Sequence, residues 1–179
     1  MEKHSVTPSE HAEIVIIGGG IGGLTLGAVL RKLKISYRIL ERSTAITPQG
    51  AGISLAPNCL RALDQLGLYE KTAANSQELY GVDVYHERNY WGRLDFGLAK
   101  KWFGYHVRSI SRAEFHGYLS EAADASNTVL LDWNVQNIVD DENSPHVLVQ
   151  GANGKEITAS LVVGADGIRS VTRRIVRDF

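Results

Sequence analysis

A chain of 179 residues with 19 Lys+Arg against 20 Asp+Glu, net charge −1, has no surplus charge to draw it to nucleic acid or an anionic membrane. Its 44% hydrophobic and 22% charged residues are ordinary for a soluble domain, and its length suits one domain, or one and a small second lobe. A single cysteine, Cys59, excludes an internal disulfide framework and fits a reducing, cytoplasmic compartment.

Residues 1–12 are polar, contain Pro8 and lack the apolar core of a secretory signal, so they are expected to be a flexible tail. No apolar run approaches membrane-spanning length. Neither a membrane nor a nucleic acid is an expected partner. Residues 13–179 then read as α/β. Residues 14–17 are an unbroken apolar run, as in a parallel strand buried on both faces. Gly18, Gly20 and Gly23 fit G-x-G-x-x-G, and the helix predicted after them turns Leu24, Ala28, Leu30 and Leu33 toward a sheet. Residues 36–40 are a second strand, with Glu41 at its carboxyl end, about 20 residues after the glycines.

Strand, glycine turn, helix, strand and acid are the layout of a dinucleotide-binding βαβ unit. Gly18 permits the tight turn, Gly20 lets a pyrophosphate approach the backbone, and Gly23 lets helix and strand sit close. The helix N-terminus offers free N–H groups and partial positive charge to phosphates. Glu41 suits ribose hydroxyls, and its charge repels a 2′-phosphate, which points to FAD or NAD rather than NADP as the bound nucleotide. The plainer alternative is a glycine-rich turn of another α/β protein, with Glu41 a solvated acid. The combined features favour the nucleotide.

Residues 43–56 read as irregular. A helix follows with Pro57 at its first position, where no N–H is needed. It carries a stripe of Leu60, Leu63 and Leu66 and ends at Gly67, over which Leu68 folds back. Residues 80–85 and 90–96 are expected to be two strands around a polar turn at 87–89, with another turn at Gly92. Ser111 and Glu114 form a capping box stapled by Ile110 and Phe115, so a helix should start there. Residues 129–131 read as a short strand. Residues 134–139, 147–150 and 155–158 read as a three-stranded meander with turns at 140–145 and 152–154. Residues 161–165 are a further buried strand, and 170–177 a short basic helix. The histidines lack metal-ligand spacing with one another or with Cys59, which reads as a small helix residue near the core. Trp91, Trp102 and Tyr105 read as core or dome packing rather than an aromatic pocket.

The segments 18–23 (GGGIGG), Glu41-Arg42, 50–58 (GAGISLAPN), Ser111-Arg112 and 164–170 (GADGIRS) together resemble the flavin-dependent aromatic hydroxylases, the salicylate hydroxylase-like monooxygenases in particular. The likeness covers nearly all the chain beyond the tail. It implies a Rossmann-like FAD-binding fold with a parallel sheet, a β-meander crossover and part of a substrate-domain sheet, to which residues 80–110 contribute. It implies FAD as cofactor and NAD(P)H as transient reductant. The implied reaction hydroxylates or epoxidises a small organic, chiefly aromatic, substrate. By the same resemblance Glu41 holds the FAD ribose and Arg112 reaches the flavin pyrophosphate. Asp166 sits near FAD and the passing NAD(P)H, and Ser54 stands where a small residue lies close to FAD.

Each of these positions has a plainer reading. Arg42, which the resemblance also makes a cofactor-binding position, is equally a solvated neighbour of Glu41. Arg112 as a bare surface charge would sit at a helix N-terminus, where a cation is unfavourable. Asp166 can cap the helix starting near Ser170, although the carboxyl end of a parallel strand is where open α/β sheets bind ligands. Ser54 can be an ordinary strand residue. No catalytic base is assigned. The family's second fingerprint, Gly-Asp after a further parallel strand, has no counterpart beyond Asp166. The chain is therefore expected to be the N-terminal portion of a monooxygenase, completed by a C-terminal half or a second polypeptide. The alternatives are a catalytically incompetent remnant or interaction module that retains the fold, and an NAD-binding oxidoreductase domain.

Overall fold

The apolar run at residues 14–17 is the second half of a longer strand, β1 (Glu10–Ile17). The computed structural model describes residues 10–46 and 50–176, apart from the side chain of residue 153. The first nine residues of the expected tail, Pro48 and Arg177 lie outside the described residues. β1 starts inside that expected tail, because Glu10, His11 and Ala12 pair with Ile157, Thr158 and Ala159. Helix α1 (Ile21–Leu33) and strand β2 (Tyr37–Leu40) follow. Lys34 ends the helix in the left-handed region at φ 60°.

The next stretch holds β3 (Gly52–Leu55), α2 (Pro57–Leu66), α3 (Tyr69–Ala74) and β4 (Gln77–Leu79). It continues with β5 (Gly81–His86), β6 (Asn89–Asp95), α4 (Ala99–Phe103), β7 (Val107–Ser111) and α5 (Arg112–Ala122). α2 follows its sequence signals: Pro57 lies at its start, and Leu68 N–H donates to the Leu63 carbonyl past a left-handed Gly67. α5 starts where the capping box sits, although the Ser111 hydroxyl accepts the Glu114 N–H only at 3.5 Å. Two readings are corrected. Residues 52–55 are a strand, not irregular, because β3 pairs antiparallel with β7 from Gly52↔Ser111 to Leu55↔Arg108. Gly92 is no turn: it lies inside β6 opposite Val84, next to a register shift at Val84/Tyr85.

The chain returns through α6 (Ala125–Thr128), β8 (Val129–Leu130), β9 (Val135–Val139), β10 (Val147–Gly151), β11 (Glu156–Gly164) and α7 (Val171–Val176). The strands expected at 155–158 and 161–165 are one. The small residues Thr158, Ala159 and Ser160, two of them polar, look like a break in sequence. β11 nevertheless runs through them, antiparallel to β10 over Glu156–Ala159 and parallel to β1 as far as Gly164.

The residues fall into two compact units, 1–47 with 119–179, and 48–118. The first holds a six-stranded sheet in the order β8-β2-β1-β11-β10-β9. Its first four strands are parallel, with Ile17 opposite both Leu40 and Gly164. Alternation along β1 divides the core. Val15 and Ile17 join Leu40, Trp133, Val149 and Ile157 in one cluster, while Ile16, Ile39 and Leu24 are buried apart from it. In the second unit β3, β7 and β4 form one sheet and β5–β6 a separate ribbon. Trp91 and Trp102 are 69% and 65% exposed, so neither is packed in a core as expected. Trp91 lies on the two-stranded ribbon, which has no second layer in which to bury such a ring, whereas Trp102 lies on the short helix α4. Among the described residues no helix is long and apolar enough to cross a membrane.

Candidate functional site

The glycine turn lies at the carboxyl ends of the parallel strands, where open α/β sheets bind ligands. Gly18 has φ 110°, a conformation open to glycine but strained for other residues. A Cβ on it would lie 2.6 Å from the Ala165 carbonyl oxygen and 3.0 Å from the Asp166 Cα. A Cβ on Gly23 would lie 1.9 Å from the Gly18 carbonyl oxygen. Both glycines are thus demanded by the chain's own packing. Gly20 is not: a Cβ there meets no atom within 4 Å. Beyond it α1 starts with no side-chain cap and no acid in its first turn. The leading N–H groups of a helix have no intrahelical acceptor. A side-chain-free approach to an uncapped helix N-terminus fits a pyrophosphate.

Glu41 follows β2 directly. Its carboxylate accepts two backbone bonds, from Gly19 N–H at 2.7 Å and Ser43 N–H at 2.9 Å. Burial pushes the carboxyl up. The N–H groups of Ser43 and Gly19, helped by the Arg42 charge, outweigh that and hold it below its usual value. The acid is therefore charged near neutrality and half-buried against the turn, unlike a solvated surface acid. Arg42 is exposed beside it.

Asp166 follows β11. One carboxylate oxygen accepts the Ser170 hydroxyl at 2.6 Å, and the other accepts the N–H groups of Val171 at 2.7 Å and Thr172 at 3.1 Å. Ser170 Oγ in turn accepts the Arg173 N–H at 2.9 Å. Burial raises the Asp166 carboxyl, but the Ser170 hydroxyl and the N–H groups of Thr172 and Val171 bring it below its usual value. Its side chain thus caps α7, while its Cα abuts Gly18. Gly18, Glu41 and Asp166 come together around one turn, each through a different contact.

Ser54 and Arg112 belong to the second unit. Ser54 is exposed on β3 opposite Ser109. Arg112 opens α5 with an exposed side chain, and its N–H donates to the Ala51 carbonyl at 3.4 Å. A Cβ on Gly50 would lie 3.1 Å from Arg112 Cδ, so the arginine stem runs over that glycine.

Sequence reasoning missed the groups that hold Glu41. Beyond Gly19 and Ser43, its backbone N–H donates to the Leu130 carbonyl at 2.9 Å and its carbonyl accepts the Trp133 N–H at 2.8 Å. Asp132 between them sits at φ 56° and donates its N–H to the Ser43 carbonyl at 3.0 Å. No motif marks these residues. Their signal is positional, and it becomes visible only once β8 is known to pair with β2.

Residues 11–177 match a family model described as an FAD binding domain. The chain is 58% identical over 173 residues to the FAD-dependent monooxygenase pytG of Aspergillus terreus, covering 96% of this chain and 52% of that protein. It is 47% identical to the FAD-dependent monooxygenase pynG of Aspergillus niger, covering 90% of this chain and 38% of that protein. Among solved structures, p-nitrophenol 4-monooxygenase PnpA of Pseudomonas putida superposes with a TM-score of 0.78 at 22% identity, over 93% of this chain and 44% of that one. That likeness shows the fold. The chain spans about half the length, or less, of these relatives. On the match across residues 11–177, the chain belongs to the FAD binding domain family.

Proposed function

We propose that this chain is the FAD-binding part of an NAD(P)H-dependent flavoprotein monooxygenase acting on a small organic, aromatic substrate. The observation that carries the reading is the junction of Gly18, Glu41 and Asp166 beside an open Gly20 and an uncapped α1. Gly20 and the first turn of α1 take the pyrophosphate. Glu41 takes the adenosine ribose, and its charge disfavours a 2′-phosphate there. Arg42 remains a solvated neighbour that supports the Glu41 charge. Arg112, as a cation, and Ser54, as a small residue, are further cofactor-binding positions by the resemblance to the aromatic hydroxylases. FAD, when bound, supplies the redox and oxygen-transfer chemistry, and the protein binds and orients it. The aromatic substrate and NAD(P)H as reductant rest on the resemblance to the aromatic hydroxylases. The β5–β6 ribbon contributes to a substrate lobe. The remaining flavin and substrate contacts come from the half of the relatives that this chain does not span, in the same or a second polypeptide.

Calorimetric titration of the purified chain with FAD and ADP tests the reading. Both should bind, and Glu41→Ala should weaken both about tenfold, as expected for losing a hydrogen bond to a charged group. A folded chain that binds neither nucleotide would refute it.

A further inference from the structure

The meander between β8 and α7 looks like a mere crossover, yet it touches the segment that holds Glu41. Lys155 immediately precedes β11. Its Nζ donates to the Asp132 backbone carbonyl at 2.6 Å and to the Asp132 carboxylate at 3.1 Å. Asp132 is a non-glycine residue at φ 56°, a conformation that persists where its surroundings hold it. Next in sequence, the buried Trp133 ring lies against Gly151 at the end of β10. A Cβ on Gly151 would sit 2.9 Å from Trp133 Cε3. Beside the tryptophan the Ala152 N–H donates to the Asn134 carbonyl at 2.9 Å.

Two grips from the β10–β11 turn therefore fix residues 132 and 133. Those residues in turn grip the acid. Trp133 N–H bonds the Glu41 carbonyl, and Asp132 N–H bonds the Ser43 carbonyl, while Ser43 N–H bonds the Glu41 carboxylate. We infer that Lys155 and Gly151 are positioning residues for the adenosine ribose, setting the place and direction of the Glu41 carboxylate through Asp132 and Trp133. The surface ion pair alone contributes little: Asp132 is 62% exposed and Lys155 33%, and exposed pairs are worth little. The bond to the Asp132 carbonyl and the space at Gly151 are what make the contact directional.

The inference rests on Glu41 binding the ribose, and the test separates the two claims. The readout is the ratio of dissociation constants for 2′-deoxy-ADP or 3′-deoxy-ADP over ADP, which reports the carboxylate's grip on the hydroxyls rather than overall stability. In the parent chain one of these ratios should be about tenfold, and Glu41→Ala should bring it to about one. Lys155→Ala should lower it about threefold and Gly151→Val further, with Lys155→Arg restoring it because the cationic donor returns. Thermal melts of each variant show that it is folded. If Glu41→Ala collapses the ratio while Lys155→Ala and Gly151→Val leave it intact, the positioning role is wrong and the ribose reading stands. If Glu41→Ala leaves the ratio unchanged, the ribose reading fails and the inference falls with it.

Discussion

Residue by residue, the glycine fingerprint divides into structural and ligand-facing parts. Gly18 and Gly23 are fixed by contacts within the chain, and Gly20, the remaining glycine of the fingerprint, faces open space. Gly23→Ala should therefore destabilise the fold itself. A Cβ 1.9 Å from a backbone oxygen cannot be relieved by a side-chain rotation, so the cost should reach the upper end of overpacking penalties, about 3 kcal/mol. Urea unfolding measures it. Gly20→Ala should leave the urea midpoint close to that of the parent chain and act on nucleotide affinity instead. Asp166 offers a pH test. Its carboxyl is held below the usual value in the folded chain, so its stabilisation is complete above the unfolded value near pH 4 and is lost as pH falls through the lower folded value. Asp166→Ala should cost about 1 kcal/mol at neutral pH, as for a lost helix cap. It should also unfold with a shallower dependence on pH below 4.

At the scale of elements, the sequence signals that worked were local ones. Pro57 and Gly67 framed α2, and the unbroken run at residues 14–17 marked a central parallel strand. What stayed illegible depends on partners distant in the chain. β3 is rich in small residues and exists because β7 lies beside it. β11 reads as two strands because its middle, Thr158 to Ser160, is made of small residues with two hydroxyls, yet it exchanges one antiparallel neighbour for an open edge without stopping. The candidate site was legible to the same degree. Gly18, Glu41 and Asp166 are marked by motif, whereas Ser43, Asp132, Trp133 and Lys155 are joined to them only by the order of the sheet. Hydrogen exchange should rank the elements by their partners. Amides of β1, paired on both sides, should exchange slowest. Those of the β5–β6 ribbon, with Tyr85, Tyr90 and Leu94 more than half exposed, should exchange far faster. Equal protection in both would contradict the ribbon's marginal stability as two strands alone.

For the molecule as a whole, the unit with the six-stranded sheet carries an acid, a glycine turn and a helix N-terminus, which the proposed function assigns to the adenosine-pyrophosphate end of FAD. The match over residues 11–177 is to an FAD binding domain. The sharpest test is a backbone NMR titration of the chain with ADP, which carries only that end of the cofactor. The amides of Gly19, Gly20, Ile21 and Gly22 and those of Glu41 and Ser43 should shift together in a saturable way. Those of the β5–β6 ribbon should stay in place. Saturable shifts confined to other residues, or no saturable shifts in a folded chain, would contradict the account.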